Sequence, residues 1–448
     1  MAWPQTARVG ARSTPTADLG CGAAGWDGVT PPELLHSRVV RASPVYFGWP
    51  VTAAAALAMA ATLPGQTAGV ALFIDAFILD LGLSRAAVSG AYTGATVAAA
   101  IVLPWSGKAL DRWGPRRGVV VIVSLLALAC LAMAEARGLA TLVLGFFLLR
   151  TLGQGALSLA AIHVVNLWFV RRRGVAVGVM SLGMATAVAL VPPLIADGIA
   201  LLGWRETYRW LGLGVAAMML PVGLLFFRWA PERYGLHPDG DASPPDPDAA
   251  PEPSVPLARA RRTSLFWALT LAVASTSCIG TGLIFHHVDI MAAGGLDGAQ
   301  AALLFVPYGA VTALASLSAG AVLDRVGPRR VLVPALALFA AMVAAVPLVG
   351  SEAGVLAYGA AFGLSQGAAG NVGGSAYAHF FGRAHIGAIK GFTRTVFVAG
   401  TALGPLLFPL GVAAFGGYSP TLVALATVPA GLAAWAAVAL GRPVYSAR

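Results

Sequence analysis

The sequence predicts an all-α integral membrane protein, with twelve transmembrane helices arranged as two pseudo-symmetric six-helix bundles. Three observations carry this expectation. The 448-residue chain is 58% hydrophobic and only 11% charged, whereas a soluble domain is about a quarter charged; it cannot cover a water-facing surface with its own polar groups. Apolar stretches of about 20 residues, each long enough to cross a bilayer, recur along its length. One eleven-residue string occurs twice, once in each half.

Taken in order, residues 1–45 are polar and Pro/Gly-rich, with no apolar run of the kind found in a signal peptide. They are expected to form a disordered cytosolic tail. The first bundle is expected over 46–229, with spans at 46–73, 86–106, 118–136, 139–168, 174–202 and 207–229. Residues 230–263 are rich in Pro and Asp and cannot pack a core, so they read as a cytosolic linker; a docking site is the alternative. The second bundle is expected over 264–440, with spans at 264–291, 298–320, 331–350, 353–380, 386–414 and 419–440, followed by a cytosolic tail at 441–448. In lipid every backbone polar group must be satisfied internally, which makes helices of spans this long.

Charge placement sets the orientation. Of the 29 Lys and Arg residues, 23 fall in the tails, the linker and alternate loops, which puts both termini on the cytosolic side of a cell (inner) membrane. The net charge of +10 is dispersed in these short clusters, so no nucleic-acid partner is implied. Cys130 and Cys278 lie inside spans and Cys21 in the tail, which implies neither a disulfide framework nor a thiolate metal site.

The repeated string is Gly107-Lys-Ala-Leu-Asp111-Arg112-Trp-Gly114-Pro115-Arg116-Arg117, which returns 213 positions later as Gly320-Ala-Val-Leu-Asp324-Arg325-Val-Gly327-Pro328-Arg329-Arg330. A period this long indicates a duplicated bundle, the arrangement by which transporters place a site between two halves. The string resembles the signature loop of the major facilitator superfamily, present twice. Further strings resemble its branch of monocarboxylate transporters and oxalate–formate antiporters. They include Trp168-Phe169-Val-Arg171-Arg172-Arg173-Gly174, Gly203-Trp204-Arg205 and Pro231-Glu232-Arg-Tyr-Gly235-Leu-His-Pro238-Asp239-Gly240. The resemblance covers about 45–440 and implies the major facilitator fold. It also implies that Asp111 and Asp324 latch the cytosolic side by binding a helix N-terminus in the opposite half, with Arg112 and Arg325 completing an ion-pair network. Gly107 and Gly320 would permit close helix approach. The alternative is that these charges only enforce topology.

A charge inside the membrane is costly and functional by default. Arg150 lies about 11 residues into predicted helix 4, roughly 16 Å deep. Its string resembles the arginine-containing helix-4 motif of the superfamily, which implies a part in proton coupling; an arginine bonded to carbonyls and Gln66 within its own half is the alternative. Arg394 lies about eight residues into helix 11. The oxalate–formate family carries a cation on helix 11, and a guanidinium clamps a carboxylate bidentately, so Arg394 is the expected anion contact, with snorkelling to the interface as the alternative. His286 and His287, followed by Asp289, are proton-coupling candidates or simply a solvated helix end. Gln66, Gln366 and Asn371 sit on helices 1 and 10, which line the cavity in this fold, and are expected to contact substrate or to join helices. Pro64-Gly65 is expected to kink helix 1. The monocarboxylate transporters carry a Lys on helix 1 and an Asp–Arg pair on helix 8; this chain has neither.

The expected function is a secondary active transporter working by alternating access, carrying a small organic anion such as a mono- or dicarboxylate, coupled to protons or a counter-anion. No nucleotide-binding G-x-x-x-x-G-K-[ST] string occurs. No enzyme activity, catalytic residue, metal or cofactor is expected, and a monomer in the lipid bilayer is. The alternatives are an exporter of drugs or amphiphilic metabolites, which would need an acidic anchor for cations, and a membrane-embedded ligand sensor.

Overall fold

The computed structural model describes residues 34–241 and 254–441; the rest of the two expected tails and the middle of the linker lie outside the described residues. The first crossing begins with α1 (Gly48–Ala61). It tightens to a 3-10 turn at Leu63–Gly65 and continues as short helices Thr67–Ala71 and Ile74–Leu81. Pro64 has no N–H to give an α-helical ladder, and the expected break falls there; a second bend, of 68°, precedes Ile74.

The crossings that follow are α2 (Arg85–Trp113), α3 (Pro115–Ala134) and α4 (Leu139–Trp168). Helices α5 (173–202) and α6 (204–226) run on from one another within Arg173–Phe226, parted at Gly203, whose φ of 81° and ψ of 161° turn the chain back. The second half supplies α7 (Ser264–Phe285), α8 (Phe305–Val326), α9 (Pro328–Ala345), α10 (Glu352–Phe381), α11 (Ile386–Phe415) and α12 (Tyr418–Ala439). The described residues thus hold twelve long helices and no strand.

Two boundaries shift in an instructive way. The repeated string was expected between helices, yet Gly107–Trp113 and Gly320–Val326 are the last turns of α2 and α8. The breaks come only at Gly114 and Gly327, at φ 80° and 82°, with Pro115 and Pro328 opening the next helices. Helix α7 ends at Phe285, and His287–Ala293 forms a separate short helix.

One apolar core, drawn from residues 40–236, joins α1 to α6; two others, drawn from 255–440, join α7 to α12. Among the described residues, the apolar cluster shared between the halves is small: Ala100, Leu103 and Val398 with Phe397. Close contact there is made by backbone. Helix α2 crosses α11 where a Cβ on Gly107 would overlap the Gly387 carbonyl, and α8 crosses α5 where one on Gly320 would overlap that of Gly174. Small residues at such crossings let helices approach in lipid without a large interlocking side-chain surface.

Candidate functional site

On one face of the bundle the repeated string ties the two halves together. Asp111, near the end of α2, accepts hydrogen bonds from the backbone N–H groups of Gly387 (2.9 Å) and Ala388 (2.7 Å), in the first turn of α11. Asp324, at the matching place on α8, accepts from Gly174 (2.7 Å) and Val175 (2.9 Å) in the first turn of α5. A helix N-terminus offers unpaired N–H groups and a partial positive charge, so each carboxylate ties its own half to a helix of the other. Asn371 adds a bridge on the same seam, donating to the carbonyls of Gly174 (3.0 Å) and Ser316 (2.8 Å). Arg112 and Arg325 are exposed, and no ion pair of theirs is found among the described residues.

Two residues beside these contacts escaped sequence reasoning. His163 of α4 is 2% exposed, and its Nδ1 lies 3.8 Å from the Asp111 carboxylate; neither ring nitrogen has a hydrogen-bond partner. A lone histidine in an apolar span carries no sequence signal of its own. The second is Asp239, in the stretch expected to be a spacer. Residues Pro231–Tyr234 and Pro238–Gly240 fold into 3-10 turns. Asp239, at φ 62°, accepts from the backbone N–H groups of Arg171 (2.9 Å) and Arg172 (3.0 Å), just ahead of α5. Glu232 pairs with Arg383 across the halves at 2.6 Å. The Pro-Asp-Gly string, a turn signature, is the signal that could have placed Asp239.

Between the halves lies a cavity of about 910 Å³, walled by α1, α4 and α5 on one side and α7, α8, α10 and α11 on the other. Its two basic residues, Lys390 and Arg394, stand one turn apart on α11, and none of its lining residues is acidic. Lys390 is 4% exposed, donates to the Gly373 carbonyl and lies 4.9 Å from the Tyr377 ring. Arg394 donates to the Gln154 carbonyl at 3.1 Å and lies against Phe397, while its Nε has no partner. Lys390 falls so near the helix start that by sequence it is one of the 23 cytosolic cations; the i, i+4 spacing to Arg394 is what puts both on one face.

The remaining sequence candidates scatter. Gln366 lines the cavity. Gln66 does not; it donates to Thr62 at 3.0 Å. Arg150 is 3% exposed and lies in a π-helical stretch of α4, Arg150–Leu157. It donates to Thr96 (3.1 Å), the Gly65 carbonyl (3.1 Å) and Thr67 (3.3 Å), all within the first half. His286 bonds the Pro405 carbonyl at 2.9 Å and lies 3.9 Å from Asp289, while His287 bonds the Ala301 carbonyl at 2.8 Å. Neither histidine is among the residues lining the cavity.

Comparison with known proteins agrees with this geometry. The profile of the Major Facilitator Superfamily matches residues 51–294. Mouse "Monocarboxylate transporter 11" is 30% identical over 337 residues, covering 72% of this chain and 71% of its own. A "Multidrug resistance protein B homolog" of Mycobacterium tuberculosis is 32% identical over 153 residues, covering 33% of this chain and 26% of its own. Among solved structures, a human organic anion transporter superposes with a TM-score of 0.62 at 15% identity, covering 87% of this chain and 99% of its own. The E. coli fucose:proton symporter gives 0.63 at 16%, covering 87% and 97%.

Proposed function

This chain belongs to the major facilitator superfamily, and from that premise we propose that it carries an organic anion across the cell (inner) membrane by alternating access. The observation that carries this reading is the pair Lys390 and Arg394 in a cavity with no acidic lining residue. Two cations without a counter-charge favour a negative cargo, and a guanidinium with an unpaired N–H can complete a charge-assisted bond to a carboxylate. Gln366 lies within reach of the same space.

The four carboxylate–amide bonds of Asp111 and Asp324 hold one face shut. That face is the cytosolic one by the distribution of Lys and Arg, so this is the outward-facing state. Passage to the inward-facing state requires those bonds to break while the halves rock about the cavity. The carrier acts as a monomer and is coupled to a proton or a counter-anion. His163, buried and unpaired beside Asp111, supports the proton.

Export of amphiphilic compounds is the second reading, favoured by the largely apolar cavity wall. Uptake of labelled mono- and dicarboxylates into proteoliposomes, with and without a pH gradient, separates the two. Accumulation of an acid is expected. Efflux of a hydrophobic cation with no uptake of any acid would leave the exporter standing.

A further inference from the structure

We propose that the cargo is an amphipathic carboxylate: one acidic head group joined, over about the length of a helical turn, to an aryl or alkyl apolar tail. The proposal rests on the anion reading above and adds the tail. Along α11, at 1.5 Å per residue, Lys390, Arg394 and Phe397 lie about 6, 12 and 16 Å from the helix start. Both cations therefore occupy the inner end of the cavity, and the next side chain outward on that face is a phenyl ring.

Helix α5 brings Met180 and Met184 to the same levels, about 10 and 16 Å from its own start, and α1 adds Met59; all three line the cavity. Thioethers are polarizable and adaptable, and they make favourable contacts with rings. The Phe397 ring centroid is 4.6 Å from the Arg394 guanidinium carbon, so a head group on Arg394 brings its own tail directly against Phe397 and the methionines.

Volume points the same way. About 910 Å³ stands near the top of the ~300–1,000 Å³ range of pockets that enclose a drug-sized ligand. A two- to four-carbon acid held on Lys390 and Arg394 would leave Met59, Met184 and Phe397 facing water that finds few polar partners there. A tail displaces that water, and each buried methylene is worth about a fourfold gain in affinity.

The test is thermal stabilisation of the purified full chain in detergent by acetate, succinate, hexanoate, phenylacetate and neutral 2-phenylethanol. Hexanoate and phenylacetate are expected to stabilise at concentrations at least tenfold below acetate and succinate, and 2-phenylethanol to have no effect. Phe397→Ala should narrow the gap between phenylacetate and acetate. Equal potency of acetate, succinate and phenylacetate overturns the tail and leaves the anion reading in place. Stabilisation by 2-phenylethanol equal to that by phenylacetate, or by no acid at all, overturns the anion reading itself.

Discussion

Two arginines inside the membrane-spanning helices have opposite fates set by their neighbours. Arg150 spends its donors on Thr96, Thr67 and the Gly65 carbonyl, beside the broken stretch of the first crossing, and is kept in place by the residues it holds. Among the described residues, Arg394 bonds the Gln154 carbonyl, and it faces the cavity. A hydrogen bond to a charged group contributes about 1.5–3 kcal/mol, or roughly ten- to a hundredfold in an equilibrium constant. Arg394→Ala is therefore expected to raise the KM for acid uptake at least tenfold with little change in the thermal midpoint of the purified protein. Arg150→Ala, which strands the Gly65 carbonyl, should lower that midpoint by several degrees. If Arg150→Ala instead cuts uptake at an unchanged midpoint, the structural assignment of Arg150 fails.

At the level of helices, the two gates are alike in form and unequal in support. The N-terminus of α11 receives Asp111. That of α5 receives Asp324 from the other half, and the residues just ahead of it receive Asp239 from its own. A carboxylate at a helix N-terminus is worth about 0.3–1 kcal/mol when exposed and up to ~2 when partly buried. Asp324→Asn should thus shift the halves apart more than Asp111→Asn, because Asp239 holds α5 only to its own side, whereas the residues ahead of α11 stay tied to the first half through Arg383, which donates to the Leu167 carbonyl. Faster labelling of a cysteine introduced at Val175 than of one at Ala388, each in its matching Asn background, checks this; equal rates would remove Arg383 from the account. The repeat made Asp111 and Asp324 legible in the sequence, since an acid kept twice at one place in a basic string asks for a partner. Asp239 was hidden because its role depends on a left-handed turn inside a stretch whose composition reads as spacer. Lys390 was hidden by proximity: three residues beyond Gly387 it looks like loop charge until the phase of α11 is known.

For the whole molecule, the consequence of that phase is that α11 carries both ends of the mechanism. Its first turn supplies the amides bound by Asp111, and its next turns supply Lys390 and Arg394. About 10 Å of one rigid helix, Gly387 to Arg394, separates the proposed gate from the proposed cargo contact, so a shift of α11 on cargo binding would reach the latch directly. Asp111 is also where a proton would act, because the buried His163 ring lies 3.8 Å from it and lacks any hydrogen-bond partner. Charging His163 offers Asp111 an ionic partner in place of the α11 amides, which loosens the closed face, whereas neutral His163 leaves Asp111 to α11. If the proposed anion is the cargo, a proton would then favour opening in the same direction in which the anion moves, as a symport requires. On this account, His163→Gln keeps exchange of labelled for unlabelled acid across proteoliposomes but loses the stimulation of net uptake by an inward proton gradient. Undiminished stimulation in that variant would move the coupling site away from His163, and loss of exchange as well would make His163 a packing residue of the gate.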